Sequence, residues 1–410
     1  MPFEAPELAP PGPRQIRSDF GGLYAVNALV AFIFATTGPV AIILAIGRHG
    51  SLAESDIASW MFGAFFLNGL ISLAFCWLYR QPLVFLWSIP GAVLVGQALG
   101  HLSFAEVIGA FHVTGLLMLL LGASGWVRRA MQAAVMPIVM GMVAGVFLRF
   151  GLDLVYALRD DFRIAAPMVA AFLALTATPR LGRYVPPLIG ALVVGAIAIA
   201  LLDRFQPGAG ALFSFAHPTL YTPVFSWRAT VELVLPLAIT VLAVQNGQGV
   251  AVLTAAGHKP PINAITMACG AGSMLSALVG SVSTCLTGPV NAILSTSGER
   301  TRQYTSGLLV GVLVLAFGVL APTFTHLMLA TPKAYIATLG GLAMLRVLQT
   351  AFVASFRTTH TFGALVTFVV TVANVPIFNI GAPFWGLVIG FLCSKLLEPG
   401  DFAKARSAAQ

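Results

Sequence analysis

The sequence predicts an all-α polytopic membrane protein with 14 transmembrane segments, built as two inverted repeats of seven. Three observations predict it. Only 9% of residues are charged, 58% are hydrophobic and mean hydropathy is +0.91. Soluble domains carry roughly 25% charged residues, so this chain could not cover a water-facing surface. Apolar runs long enough for a bilayer recur from one end to the other. Two of these runs, at matching places in the two halves, are interrupted by a Pro-Gly or Gly-Pro pair.

In chain order, the first 20 residues, "MPFEAPELAPPGPRQIRSDF", are Pro-rich and lack the apolar core and cleavage site of a signal peptide. A disordered cytoplasmic tail is expected there. Apolar segments follow at 24–47, 57–78, 83–99, 104–123, 131–151, 164–179 and 186–202, then at 230–254, 262–280, 283–297, 304–329, 334–355, 360–376 and 380–397. With the N-terminus inside, only Arg48, Arg159, Arg163, Arg204, Arg228 and Lys333 of the 22 Lys and Arg fall in outer loops. Arg149 and Arg346 fall within spans, and the others face the cytoplasm. That bias is the positive-inside rule, with both termini cytoplasmic. It accounts for the net charge of +8 and leaves nucleic acid without support as a partner. Cys76, Cys269, Cys285 and Cys393 sit in apolar segments without ligand spacing, so they read as packing residues and no metal is expected.

Segments 3 and 10 are anomalous. In "QPLVFLWSIPGAVLVGQALG" the residues from Pro90-Gly91 onward make a helix of only ~16 Å at 1.5 Å per residue. That crosses about half of a ~30 Å hydrocarbon core. "GSVSTCLTGPVNAILSTSG" is broken the same way at Gly288-Pro289. Proline in a first turn marks a helix start. The preceding "PLVFLWSI" and "SVSTCLT" are β-prone, which is tolerated at that depth only inside protein or against a cavity.

The two breaks lie 197 positions apart, and Arg149 and Arg346 share that offset. "PPLIGALVVG" in segment 7 matches "APFWGLVIG" in segment 14, and "TTGPVAIILAIGRHG" in segment 1 matches "QNGQGVAVLTAAGHK" in segment 8. Seven spans per half is an odd number, so the halves run in opposite senses. Inverted repeats with broken helices at matching positions point to a secondary transporter with its site near the midplane. The chain has no GxxxxGK[ST] loop, HExxH or GxSxG motif, so neither ATP hydrolysis nor enzyme chemistry is expected, and no cofactor.

The block "AVQNGQGVAVLTAAGHKPPINAITMACGAGSMLSALVGSVSTCLTGPVNAIL" (243–294), with "FATTGPVAIILAIG" (34–47), resembles the BenE benzoate:proton symporters, and the likeness runs along nearly the whole chain. The resemblance implies the seven-plus-seven fold of the uracil permease and anion carrier families. It divides the chain into a core domain (21–123 and 230–330) and a gate domain (124–203 and 331–398), which often dimerises. A linker at 204–229 and a tail at 399–410 complete it. It implies multi-pass residence in a bacterial inner membrane. It also implies rocking or elevator-like alternating access, with a small aromatic carboxylate and a proton carried together. Substrate is expected between the half-helices of segments 3 and 10, against segments 1 and 8. The residues at those places are Thr37, Gly38, Ser88, Ile89, Pro90, Gly91, Gln245, Asn246, Gln248, Thr287, Gly288, Pro289 and Asn291. Where the uracil permease group has carboxylates on segments 8 and 10, this chain has Gln245 and Thr287, which counts against a nucleobase. A carrier for another small organic anion or for a nucleobase in the same fold remains the alternative, and an anion channel a further one.

The physical case for an anion is separate. Two half-helix N-termini present unpaired N–H groups and positive dipole ends, and hydroxyls and amides can add neutral donors. Phe34, Phe85, Trp87 and Phe384 are candidate apolar walls, with packing as the plainer role. Ionisable groups in or near spans are functional candidates by default. For proton coupling these are Glu106, His112, Asp153, Glu232 and His326. Arg149 and Asp153, four apart, are expected to pair on one helix face. The GxxxG spacings Gly141/Gly145, Gly307/Gly311 and Gly386/Gly390 predict close helix packing.

Overall fold

The computed structural model describes residues 4–127, 129, 131, 135–178, 185–206, 213–295, 298–375, 377 and 382–402. Arg128, Arg180, Arg183, Lys404, Arg406 and the expected tail beyond 402 lie outside them. The chain is a mostly helical polytopic membrane protein. Seven helices are long and apolar enough to cross a bilayer: Gly22–His49, Glu54–Tyr79, Phe104–Ser124, Met136–Asp160, Trp227–Ala255, Arg300–Val319 and Lys333–Phe356. Six apolar helices are shorter: Ile89–Ala98, Phe162–Ala177, Pro187–Leu201, Ile262–Ala277, Thr361–Ala373 and Ala382–Leu397.

The chain clusters into two compact units. Unit 1 comprises Met1–Thr36, Ser51–Ala134 and Phe213–Phe324; unit 2 comprises Thr37–Gly50, Val135–Leu212 and Thr325–Gln410. The division of 21–123 as one unbroken core segment differs from this clustering, which separates helix α1 (Gly22–Thr36) from α2 (Gly38–His49). Local packing is the reason. A Cβ on Gly38 would lie 2.5 Å from Ala343 Cβ and 2.8 Å from Leu188, so α2 is seated directly on unit 2 helices. Arg48 then donates to the carbonyls of Leu329 (2.6 Å) and Thr331 (3.3 Å).

In unit 1, the N-terminal segment differs from the expected disordered tail. The Glu4 carboxylate accepts from the backbone N–H groups of Asn263 (2.9 Å) and Ala264 (3.0 Å), the exposed donors that open helix Ile262–Ala277. Tyr79 donates to Glu4 O and Trp77 to Pro11 O. Residues Pro13–Asp19 form a helix, and Asp19 is held by Arg80 and by the Tyr304 hydroxyl. The composition that suggested disorder also supplies acceptors to a helix start that has no side-chain cap of its own. Part of the expected linker is likewise laced to unit 1. Backbone bonds run from Ala216 to Val319 (2.7 Å), Tyr221 to Leu278 (2.9 Å) and Val224 to Ala105 (3.0 Å).

Helices Phe104–Ser124 and Ile262–Ala277 pack so closely that a Cβ on Gly270 would lie 2.5 Å from Leu119 N and 2.7 Å from Gly115 O. In unit 2, helix Thr361–Ala373 lies between Met136–Asp160 and Ala382–Leu397. The predicted small residues make those contacts: Gly145 faces Thr371, and Gly386 faces Thr367 and Thr371. The expected Arg149–Asp153 ion pair is not among the described ones. Arg149 is exposed and its Nη2 lies 3.5 Å from His49 Nδ1, so its side chain turns toward α2 instead.

Candidate functional site

The site in unit 1 is built on two three-residue strands. Strand β1 (Phe85–Trp87) pairs antiparallel with β2 (Thr284–Leu286), in the register Phe85↔Leu286, Leu86↔Cys285 and Trp87↔Thr284. Each strand runs straight into a half-helix: α3 (Ile89–Ala98) after β1 and α4 (Gly288–Leu294) after β2. Because the strands are antiparallel, the half-helices leave the sheet in opposite senses. Both N-termini therefore start from the same small sheet. Pro90 and Pro289 fall in the first turns, where the missing N–H costs nothing.

A two-stranded ribbon has two open edges, and buried backbone groups there must find partners. Four side chains supply them. On the β1 side, Phe85 N–H donates to Ser72 Oγ (2.8 Å), and the Asn291 amide closes on Val84, accepting from its N–H (3.0 Å) and donating to its carbonyl (3.2 Å). On the β2 side, Thr284 N–H donates to Ser273 Oγ (3.0 Å) and Leu286 N–H to Asn246 Oδ1 (2.8 Å). Asn246 Nδ2 also points to Cys269 Sγ at 3.4 Å. Thr284 Oγ1 donates to Asn68 Oδ1 (2.7 Å). All of these polar side chains are buried.

This sorts the polar residues proposed from sequence. Asn246 and Asn291 are engaged by strand backbone. Ser88 caps α3, its Oγ accepting from Gly91 N–H at 3.1 Å. In contrast, Gln245 and Thr287 are buried yet make no side-chain hydrogen bond among the described residues. Exposed Gln248 lies over the start of α4, where a Cβ on Gly288 would be 2.6 Å from its Cγ and Cδ. Gly288 is thus the position where a side chain would collide with that amide. Ile89 and Pro90 open α3, and a Cβ on Gly91 would touch Leu237 at 3.0 Å. Gln245, Asn246 and Glu232 lie on helix α5 (Trp227–Ala255), which contains two π-helical stretches, Thr230–Val234 and Thr240–Asn246. Such bulges redirect side chains and recur at functional sites.

Thr37, Gly38 and Phe384 belong to unit 2. Of the aromatic candidates, Phe85 is fully buried against Phe75 (5.0 Å between centroids) and Trp87 is buried in the sheet. Phe34 is 40% exposed and Phe384 stacks edge-on with Trp385. The ionisable candidates also separate. Glu106 closes a capping box with Ser103 at an exposed helix start. The His112 ring faces the Ile108 carbonyl at 3.0 Å. Asp153 and His326 are in unit 2. Glu232 is buried, and both of its oxygens lie 3.0 Å from His101 Nε2. Among the described residues there is no group of three or more His, Cys, Asp or Glu arranged to hold a metal.

Sequence reasoning missed Ser72, Ser273, Asn68 and His101. Each serine lies on the helix that precedes a strand, but the offset of the two half-helix breaks places Cys269, not Ser273, opposite Ser72, so the repeat spacing does not pick them out. His101 sits in a loop and carries no periodic signal.

The fold has relatives among solved structures. The transmembrane domain of a cyanobacterium bicarbonate transporter, BicA, superposes with a TM-score of 0.63 at 16% identity, covering 93% of this chain and 99% of that one. SLC26A9 superposes at 0.62 and 13% identity, over 90% of this chain and 64% of that one. Among curated sequences, the inner membrane protein YdcO of Escherichia coli (strain K12) is 28% identical over 90% of this chain and 94% of its own length. A benzoate membrane transport protein of Acinetobacter baylyi is 24% identical over 94% and 97%. The family described as benzoate membrane transport protein, BenE, matches residues 22–396, and the chain belongs to this family of membrane transporters.

Proposed function

We propose that the protein imports benzoate or a related aromatic carboxylate by proton symport across a bacterial inner membrane. One observation carries the substrate reading. Two half-helix N-termini start from one buried sheet, and the polar groups beside them that remain uncommitted, Gln245, Gln248 and Thr287, are all neutral. Helix starts and neutral donors suit a single delocalised negative charge without burying a lysine or arginine. The aromatic ring would lie against apolar side chains from unit 1, with Phe34 and Trp87 the nearest candidates in sequence.

Alternating access would follow from displacement of unit 1 as a carrier of the bound anion, in rocking or elevator fashion. The seven long helices, the six shorter ones and α4 would together make 14 crossings, with both termini cytoplasmic and the gate domain available for dimerisation. Uptake of labelled benzoate into proteoliposomes under an inward proton gradient tests the reading. Uptake above that of protein-free vesicles is expected, since the uncharged acid leaks passively. No such excess in correctly oriented, monodisperse protein would refute it. One fold relative is by its name a bicarbonate transporter, so a second reading is a different small organic anion in the same site. A panel of aromatic and aliphatic carboxylates and nucleobases, competing against labelled benzoate, separates the two. The absence of a carboxylate at Gln245 and Thr287 weighs against a nucleobase.

A further inference from the structure

Proton coupling requires a group that binds a proton and is mechanically tied to the substrate site. Among the ionisable groups of unit 1, Glu232 has the most unusual setting. It is only 4% exposed, and its described partner is the imidazole of His101, whose Nε2 is 3.0 Å from both carboxylate oxygens. A buried carboxylate is costly unless paired. The His101 side chain is 27% exposed and sits in the loop between the apolar helices Ile89–Ala98 and Phe104–Ser124.

The connection to the substrate site is direct at both members. His101 follows α3 after Leu99 and Gly100, and its N–H and that of Leu102 donate to Ala98 O at 3.0 and 2.8 Å. The imidazole is thus fixed at the C-terminal end of the half-helix whose N-terminal end carries Ser88–Gly91. That end of a helix favours a cation. Ten residues make the helix about 15 Å long. Glu232 lies in the first π-helical stretch of α5, and Gln245 lies in the second. The His101–Glu232 contact therefore joins the same two elements that supply the candidate anion donors. Those elements also touch each other at Gly91 and Leu237.

We infer that His101 and Glu232 form the proton-binding pair of the transport cycle. The inference rests on the proton-symport reading above. Nε2–H donates to the Glu232 carboxylate in either charge state. Nδ1 has no described partner and takes the proton, changing the pair from −1 to neutral. One proton and one monovalent anion then move together without net charge. The other ionisable groups on elements packed against this pair are Glu106, His112 and Arg228. Glu106 is held in the Ser103 cap, His112 faces Ile108 O, and Arg228 acts on Glu106. Helix α3 itself carries no titratable side chain.

The test compares initial benzoate uptake between pH 5.5 and 8.5, and accumulation under an inward proton gradient, for wild type, Glu232→Gln and His101→Gln. Protein-free vesicles are measured in parallel. The wild type is expected to lose rate as pH rises and, under an inward proton gradient, to approach the limit of about tenfold accumulation per pH unit for one proton per anion faster than protein-free vesicles, whose passive leak of the uncharged acid tends to the same limit. Both variants are expected to show a flat pH profile and no gradient-driven gain in the early rate of accumulation over the protein-free control. A variant that keeps the wild-type profile and accumulation overturns the pair. So does a monodisperse variant whose uptake is lower but follows the wild-type pH profile, because that is a structural effect. If Glu232→Gln is not recovered folded, His101→Gln, at the part-exposed member, decides by the same criterion. A wild type with no uptake above protein-free vesicles overturns the transport reading itself, which distinguishes that failure from failure of the pair.

Discussion

At the scale of single residues, Gln245 and Asn246 are chain neighbours with opposite employment. The Asn246 amide accepts from Leu286 N–H at the edge of β2, while Gln245 is buried without a described hydrogen bond. Their alanine variants should therefore diverge. Asn246→Ala leaves a buried N–H without its partner, which costs about 1–3 kcal/mol. Its melting temperature in detergent should fall clearly. Asn291→Ala should fall by a similar amount, since it strands the Val84 N–H, while the Val84 carbonyl keeps the Thr287 N–H at 3.2 Å. Gln245→Ala should melt like the wild type yet lose about tenfold or more in benzoate uptake. That is the size of one hydrogen bond to a charged group. Equal melting losses in Gln245→Ala and Asn246→Ala would remove the distinction. The sequence shows three amides and two glycines between Gln245 and Gly249 but not this division. Which amide serves the backbone depends on where β2 passes, a contact 40 residues away in the chain.

At the scale of elements, helix starts in this protein are completed by distant carboxylates. Glu398 accepts from the N–H groups of Phe362 (2.8 Å) and Gly363 (3.0 Å), at the start of helix Thr361–Ala373, and lies just past the last apolar helix. Burial acts to raise its pKa, but the two backbone donors and Ser394 outweigh it and hold the carboxyl below its ordinary value. A folded-state pKa below the unfolded one contributes stability that is present above the unfolded value, near 4.5, and is lost as pH falls through the folded one. The expected outcome is that the wild type loses melting temperature between pH 6 and pH 4 by more than Glu398→Gln does. Parallel curves would show that the cap does not titrate in this window. Close packing gives a second check at this scale. Gly270→Ala puts a methyl within 2.5–2.8 Å of the backbone at Leu119 and Gly115, so two helices must separate. Overpacking of this kind costs about 1–3 kcal/mol, read as lowered melting with no change in oligomeric state. The small-residue spacings made such contacts legible in the sequence. The Glu4 and Glu398 caps were not, because a Pro-rich start and a charged C-terminal end look like solvent-exposed tails when read alone.

At the scale of the whole molecule, the sequence was most informative where physics leaves one solution. A chain this poor in charge must be mostly inside a bilayer, and paired Pro-Gly breaks at matching positions in a repeat mark helices that start inside protein. Seven helices are long and apolar enough to cross a bilayer, and two short helices begin after buried strands, at Ser88–Gly91 and Thr287–Pro289. The unit boundaries were less legible. The first long helix is continuous in hydropathy, yet its two parts cluster with different units because Gly38 and Arg48 choose their neighbours by contact rather than by span. Orientation follows from a different property, the distribution of Lys and Arg, and predicts both termini inside. Exposed Arg17 lies in the N-terminal segment and exposed His217 in the loop between the halves, so they should be on opposite faces. Three of the four native cysteines are buried, which keeps background labelling low. In intact cells, His217→Cys should react with a membrane-impermeant maleimide, while Arg17→Cys should react only after lysis, each read above the wild-type signal. Labelling of Arg17→Cys in intact cells would invert the topology, and with it the direction in which the His101–Glu232 pair meets the proton gradient.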